Sequence, residues 1–131
     1  MKLESVYKHG KSLDLLYNLL SERTVEQSIS HKSMPTYAEH MVFVSSRPYH
    51  VWYIIKVDEV PVGSVYISKQ REIGIFIFKE HQGKGYAEEA VKIVMEKWPG
   101  KFLANVNPLN EPSHKLFQKL GFKPIQVTYA L

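Results

Sequence analysis

The sequence contains no cysteine, which excludes disulfides, thiolate metal sites and a cysteine nucleophile. It also lacks an apolar run of the length that a membrane span needs, and its first ten residues, MKLESVYKHG, lack the apolar stretch of a signal peptide. Lysine and arginine are scattered, so no segment resembles a nucleic-acid-binding arm. We therefore expect a cytoplasmic protein without a metal ion, a membrane partner or a nucleic-acid partner.

What is present fits one globular domain over residues 1–131. The chain has 131 residues, of which 44% are hydrophobic and 23% charged, enough for a hydrophobic core of ordinary composition. No repeat, low-complexity tract or interdomain linker divides it. The formal charge of +4 fits either a solvated basic surface or a site for an anionic ligand, such as a phosphate-bearing cofactor.

Hydrophobic periodicity predicts a mixed α/β (α+β) fold. Apolar residues at helical spacing predict helices over residues 12–22, 36–46, 84–98 and 112–120. Runs of β-branched and aromatic residues predict strands over residues 2–7, 51–57, 62–68, 72–78, 102–106 and 125–130. The predicted order is β-α-α-β-β-β-α-β-α-β, and its three central strands form an antiparallel meander. Residues 23–35, which include His31, are predicted to be polar and irregular.

Local signals mark the ends of two of these helices. Thr36 with Glu39 three positions later has the spacing of a capping box. Gly121 can adopt the left-handed conformation that ends a helix, and Phe122 is placed to fold back on the last turn.

Two glycines, Gly83 and Gly85, stand where the third helix begins. A helix N-terminus exposes unpaired N–H groups and partial positive charge, and glycines before it let the backbone wrap around an anion. The segment therefore predicts a phosphate cradle to which Lys84 adds charge, although glycines at such a place can also serve a plain tight turn. It is not a P-loop, because Tyr86 follows Gly85, and it is not a dinucleotide fingerprint, because Glu88 stands at the third glycine position.

The wider context resembles the GNAT family of N-acetyltransferases. Two segments carry the resemblance, Glu72-Ile73-Gly74-Ile75 on a strand followed by Gln82-Gly83-Lys84-Gly85-Tyr86-Ala87 opening a helix. The family pattern is Gln/Arg-x-x-Gly-x-Gly/Ala, and aligning it on Gly83 and Gly85 puts Glu80, a departure, in the first position. A third segment, Asn110 to Phe122, resembles the family's second signature, Asn-x-x-Ser/Ala-x-x-Leu-Tyr/Phe-x-Lys-x-Gly-Phe. The resemblance is strong over residues 62–122 and weak over residues 1–50, and it implies the GNAT fold.

The resemblance implies acetyl-CoA as a co-substrate and places its contacts. The pyrophosphate would lie on the amides of Gln82, Gly83, Lys84, Gly85, Tyr86 and Ala87. Backbone N–H groups among residues 76–78, with Ile77 and Phe78 favoured, would meet the pantetheine arm and the thioester carbonyl. A fixed donor there stabilises the charge that develops on the thioester oxygen. Asn110 would bind the pantetheine amides, cap the next helix, or do both.

The implied reaction is direct attack of a primary amine on the thioester. Only about one in 10³ ordinary amines is unprotonated at pH 7, so a base or a water relay would help. Glu72 is the first candidate for that base, with His31 and His40 as alternatives. Family members often use a tyrosine on the last helix as the acid, but Phe117 stands there. Tyr129 or a water could substitute, and Phe117 would then pack beside the pantetheine arm.

The acceptor stays open at this stage. An amino sugar, another small amine, an amino acid and a peptide N-terminus all fit. Phe117 and Glu80 also motivate a non-catalytic acyl-CoA-binding module as an alternative, and the charge alone suggests a small nucleic-acid-binding protein. The predicted edge strand over residues 125–130 could support a homodimer.

Overall fold

A computed structural model describes residues 1–23 and 33–131. Its elements, in chain order, are strand β1 (Lys2–Ser5), helices α1 (Ser12–Ser21) and α2 (Tyr37–Ser45), strands β2 (Tyr49–Val57), β3 (Val60–Ser68) and β4 (Ile73–Ile77), a 3-10 turn (Lys79–His81), and helices α3 (Tyr86–Lys97) and α4 (Glu111–Lys119). The mixed α/β fold class is thereby confirmed. No helix among the described residues is long and apolar enough to cross a membrane.

The four strands form one antiparallel sheet in the order β1-β2-β3-β4. Asp58 and Glu59 link β2 to β3 with φ angles of 51° and 64°, the left-handed values of a two-residue hairpin turn. The predicted meander is therefore confirmed, and each strand lies within two residues of its predicted ends.

Helices cover both faces of the sheet. Leu16, Leu19 and Val44 from α1 and α2 pack with Trp52 and Ile54 on one face. On the other face, α3 and α4 pack against the side chains of β2, β3 and β4, and the helix residues buried there are Ala90, Val91, Val94 and Phe117. The predicted apolar stripe of α3 is therefore its core-facing side.

The predicted helix ends are also confirmed. The Thr36 hydroxyl accepts a hydrogen bond from the Glu39 N–H at 3.1 Å, and the Glu39 carboxylate accepts one from the Thr36 N–H at 2.9 Å. At the end of α4, Gly121 has φ of 93°, and the Phe122 N–H donates to the Phe117 carbonyl at 2.9 Å. The two phenylalanine rings meet edge to face, 5.1 Å apart.

The two strands predicted after α3 do not form among the described residues. From residues 102–106 only Leu103 makes a bridge, parallel to Glu72, with its N–H bonded to the Arg71 carbonyl at 2.9 Å and its carbonyl to the Ile73 N–H at 2.8 Å. Beyond this bridge the segment leaves β4 unpaired on its outer edge. Residues 125–130 have an alternating sequence but pair with no described strand, and Ile125, Val127 and Tyr129 are exposed. The prediction failed because alternation is a local pattern, whereas a strand must also run alongside a neighbouring strand, and these segments do not.

Candidate functional site

The outer edge of β4 carries N–H groups that no described residue uses. The Phe78 N–H donates to the Val62 carbonyl at 2.9 Å, and the Ser68 N–H donates to the Glu72 carbonyl at 2.8 Å, so even-numbered residues of this stretch bond to β3. Odd-numbered residues therefore point their backbone groups outward. The Ile73 N–H meets Leu103, and those of Ile75 and Ile77 have no hydrogen-bond partner among residues 1–23 and 33–131.

This alternation corrects one of the predicted donors. The amide hydrogen of Phe78 is already bound to β3 and is not free for a ligand. Ile77 is free, and Ile75, which sequence reasoning missed, is the second outward donor. Strand parity could have found it, because residues two apart on a strand present their N–H groups to the same edge.

A row of six further free amides follows at the start of α3. The first amide of this stretch with a partner is that of Glu89, which donates to the Gly85 carbonyl at 3.2 Å. None of the N–H groups of residues 83–88 has a hydrogen-bond partner in the described part of the chain, and the helix has no side-chain cap. These amides lie at the positive end of the helix dipole.

Gly83 and Gly85 shape that turn. Both have φ of +80°, a conformation that residues with a Cβ rarely adopt, and a Cβ built on either would meet no atom within 4 Å. The space in front of the turn is therefore open. The Gln82 side chain donates to the Ile77 carbonyl at 3.0 Å and so holds the turn against the end of β4.

The helix start also improves the alignment of the motif. The pattern Gln/Arg-x-x-Gly-x-Gly/Ala fits without departure when it is placed on Gln82, Gly85 and Ala87, two residues later than on Glu80. Gly85 is then the residue that caps α3 in the left-handed conformation. Glu80 belongs instead to the 3-10 turn before the motif.

A cleft of about 180 Å³ joins the β4 edge to this turn. It is lined by residues of β4, of the two helix starts and of the end of α1, among them Ile75, Ile77, Gln82, Ala87 and Asn110. The Asn110 side-chain oxygen Oδ1 accepts from the Ser113 N–H at 3.2 Å, so its predicted capping role is present. Its side-chain NH₂ has no hydrogen-bond partner in the described ranges and is available to a ligand.

A second and larger cavity, about 630 Å³, lies on the other face of the sheet. It is enclosed by α1, by α2 and the residues before it, and by side chains of β2, β3 and β4, including Arg23, His40, Tyr49, Trp52, Tyr66 and Phe76. Leu19, Arg23 and Phe76 line both the cleft and this cavity. The two spaces therefore meet at Phe76, near the C-terminal end of β4.

Glu72 immediately precedes β4. It lies on the face of the sheet that carries the larger cavity, but it does not line that cavity. One carboxylate oxygen accepts from the Ser68 hydroxyl at 3.1 Å, and the other accepts from the Asn105 side-chain NH₂. These bonds fasten the β4 start to the segment after Leu103.

His40 lines the cavity and is buried. Its Nε2 lies 3.0 Å from the Leu13 carbonyl, an acceptor, so this nitrogen carries the hydrogen and ties α2 to α1. Burial lowers the pKa of His40, which keeps the ring neutral at pH 7. His31, the other predicted histidine, lies outside the described residues.

Two predicted residues lie away from where the reaction scheme puts them. Tyr129 is 91% exposed and lines none of the cavities described above, since residues 125–130 do not join the sheet. Phe117 is buried in the core between the sheet and α3, and its contact with Phe122 is structural. Neither supplies a proton donor to the cleft.

The family assignment agrees with this geometry. Residues 9–123 match the model of the acetyltransferase (GNAT) domain. The chain therefore belongs to the GNAT acetyltransferase family.

Solved structures show the same fold at low sequence identity. An N-acetyltransferase from Staphylococcus aureus is 18% identical, with a TM-score of 0.68 over 93% of this chain and 81% of that one. The protein yncA from Salmonella typhimurium, solved with its cofactor acetyl-CoA, is 15% identical, with a TM-score of 0.68 over 92% and 77%. RimL, a ribosomal L7/L12 alpha-N-protein acetyltransferase in complex with coenzyme A, is 14% identical, with a TM-score of 0.69 over 89% and 76%.

Proposed function

We propose that this protein is an acetyl-CoA-dependent N-acetyltransferase that moves an acetyl group to a primary amine by direct attack on the thioester. The observation that carries the proposal is a run of backbone donors without a partner among the described residues, from Ile75 and Ile77 in the cleft to residues 83–88, of which Ala87 lines it. A ligand with amide and thioester oxygens at one end and a diphosphate at the other matches both parts of this run.

The turn before α3 is the proposed diphosphate site. Six unpaired amides at a helix N-terminus bind anionic oxygens through hydrogen bonds and through the helix dipole. Gly83 and Gly85 keep the approach open, and the exposed Lys84 adds a positive charge. Relatives of the same fold, yncA and RimL, are described with acetyl-CoA and coenzyme A, which supports the choice of ligand.

The β4 edge is the proposed site of the pantetheine arm and the thioester. The bridge at Leu103 ends after one residue, so the outer edge of β4 is open to a ligand that pairs with it like a strand. When an amine attacks the thioester, negative charge develops on the carbonyl oxygen, and an N–H fixed in the sheet stabilises this charge without reorganising. Ile75 and Ile77 are the donors of this proposal, and Asn110 binds a pantetheine carbonyl through its NH₂.

The acceptor amine enters from the larger cavity, which reaches the cleft at Phe76. Glu72 is the proposed base. It would take the amine proton through water, since its own oxygens are held by Ser68 and Asn105 at the end of the strand. The departing thiolate needs no dedicated acid, because a thiol pKa of about 8.5 makes it a tolerable leaving group at neutral pH.

The test is release of coenzyme A from acetyl-CoA across a panel of amino sugars, amino acids, polyamines and peptides. We expect turnover of at least one amine, and Glu72→Gln should lower kcat by about 10²–10⁴-fold without weakening acetyl-CoA binding. Glu96→Gln, an exposed change on α3, is the matched control and should behave as wild type. Absence of acetyl-CoA binding would remove the proposal altogether.

One observation favours a second candidate function, a non-catalytic acyl-CoA-binding module. Phe117 has no hydroxyl and Tyr129 is exposed, so neither can protonate the leaving thiolate. The same panel separates the two candidates. Tight acetyl-CoA binding with no transfer to any amine would favour the module. The Glu72→Gln substitution should then leave the affinity for acetyl-CoA unchanged.

A further inference from the structure

The larger cavity contains the positive charge of Arg23, with which no residue in the described part of the chain forms an ion pair. The Arg23 side chain lies over the Phe76 ring, with its Cζ atom 4.3 Å from the ring centroid. Its Nε atom is buried and has no hydrogen-bond partner, and no carboxylate within residues 1–23 and 33–131 forms an ion pair with it. An unpaired, partly buried guanidinium costs free energy unless something else supplies the partner.

A second orphan donor lines the same cavity. The indole Nε1–H of Trp52 is also buried without a hydrogen-bond partner, and Arg23 and Trp52 are the two residues of the described chain with such atoms. Both groups can only donate hydrogen bonds. A ligand that satisfies both must therefore present acceptor oxygens.

None of the other polar groups among the described cavity residues bonds to the Arg23 Nε or to the Trp52 Nε1 atom. The Glu39 carboxylate, which lies at the exposed rim, is bound to the Thr36 N–H, and the His40 Nε2–H is bound to the Leu13 carbonyl. Tyr49 and Tyr66 are stacked with ring centroids 3.7 Å apart, and burial raises the pKa of both hydroxyls, so both stay neutral. Among the described residues, Arg23 is therefore the charged group in the buried part of the cavity, and Glu39 is the charged group at its exposed rim.

We propose that the acceptor carries an anionic group, a carboxylate or a phosphate, on the same small molecule as its amine, and that Arg23 and Trp52 bind this group. This inference rests on the proposed acetyl transfer and names the substrate class of that same site. Guanidinium groups bind carboxylate and phosphate through two parallel hydrogen bonds, and the cavity volume of about 630 Å³ is that of a small-molecule site. The aromatic wall holds the remainder of the molecule.

The proposal also excludes a class of acceptors. Polyamines, aminoglycoside-like polycations and lysine-rich peptides would bring further positive charge next to Arg23. Glu39, the one carboxylate among the described cavity residues, lies at the solvent-exposed rim, where water screens its charge. Like charges repel more strongly in a cavity from which water is partly excluded than they do in bulk water.

The rival role for Arg23 is a contact with the cofactor, because this residue also lines the β4 cleft. The experiment therefore measures two quantities separately, the Kd of acetyl-CoA by calorimetry and kcat/KM for matched acceptors. The matched pairs are glucosamine 6-phosphate with glucosamine, and L-phenylalanine with L-phenylalaninamide. The first pair tests a phosphate and the second a carboxylate.

We expect wild-type protein to prefer the anionic member of at least one pair. Arg23→Met should reduce that preference about 10–100-fold, the value of one charge-assisted hydrogen-bond pair, while the Kd of acetyl-CoA stays at the wild-type value. Arg23→Lys, which keeps the charge but not the planar fork, should retain part of the preference. Arg47→Met removes an arginine that lies on the Tyr7 ring, outside the cavity, and should leave the preference unchanged.

Three results would overturn the inference. The first is equal kcat/KM for both members of each pair. The second is a higher Kd of acetyl-CoA in Arg23→Met than in wild type. The third is failure of all four probes to react with protein that binds acetyl-CoA. A protein that binds no acetyl-CoA at all would instead remove the proposed acetyl transfer. Calorimetry before any kinetic measurement distinguishes these two failures.

Discussion

Replacing Gly85 by alanine tests two separate roles of this glycine, one in the conformation of the turn and one in cofactor binding. The first is conformational, since φ of +80° disfavours any residue with a Cβ. The second is proposed, since the Cβ would project into the open space in front of the amide row. Because no protein atom lies within 4 Å of that Cβ, a steric clash inside the protein adds nothing to the effect.

The two roles affect two different measured quantities, the free energy of unfolding and the Kd of acetyl-CoA. The left-handed conformation should lower the free energy of unfolding by about 1–2 kcal/mol. Misaligning one amide that binds a charged phosphate oxygen loses about 1.5–3 kcal/mol of binding free energy, so the Kd of acetyl-CoA should rise about 10–100-fold. Gly83→Ala should show the same pair of effects, because Gly83 has the same φ and the same open surroundings.

Gly121→Ala is the matched control. Gly121 has φ of +93° and also has no atom within 4 Å of a built Cβ, but it ends α4, away from the turn. It should lose as much stability as Gly85→Ala and keep the wild-type Kd. Stability is measured by urea unfolding and affinity by calorimetry. Equal Kd values for Gly85→Ala, Gly121→Ala and wild type would refute the diphosphate site.

Two further predictions concern stability. Because burial lowers the pKa of His40 in the folded state, the unfolded chain binds the additional proton, so the stability contribution of neutral His40 is complete above pH of about 6.5 and is lost as the pH falls below it. His40→Gln, which keeps a donor for the Leu13 carbonyl, should therefore show a shallower loss of unfolding free energy between pH 7 and pH 5 than wild type, and identical slopes would count against the buried neutral ring. Residues 124–131 are exposed and pair with no described strand, so their removal should change the free energy of unfolding by less than about 0.5 kcal/mol. A larger loss, together with a smaller particle in gel filtration, would show that this segment pairs in a homodimer.

The structural features that were predicted best are those that depend on residues close together in the sequence. The capping box of Thr36 and Glu39, the left-handed Gly121 and the buried stripe of α3 each depend on residues within a few positions of one another, and all three are confirmed. The free amides at the start of α3 also follow from a local rule, because a helix lacks partners for its first N–H groups.

Features that depend on distant partners were not predictable in the same way. Residues 102–106 and 125–130 have strand patterns, but pairing requires an edge in reach, and only Leu103 finds one. The loss of Phe78 as a donor depends on Val62, sixteen positions earlier. Arg23 and Trp52 carry no motif, and only packing shows that both orphan donors line one cavity. The one available signal was strand parity, which points to Ile75.

The alternation of β4 explains how one strand serves both halves of the proposed reaction. Odd-numbered residues turn their N–H groups to the outer edge, where the thioester is proposed to lie, while the side chain of Phe76 faces the acceptor cavity. Backbone hydrogen bonds lie in the plane of a sheet and side chains stand perpendicular to it, so in this proposal the cofactor and the acceptor would approach the strand at right angles. They can meet only where the cleft and the cavity share a wall, at Leu19, Arg23 and Phe76. An anion held by Arg23 would therefore place the amine of a small acceptor within a few bonds of the thioester, which is why the same residue can set the specificity of the reaction without taking part in its chemistry.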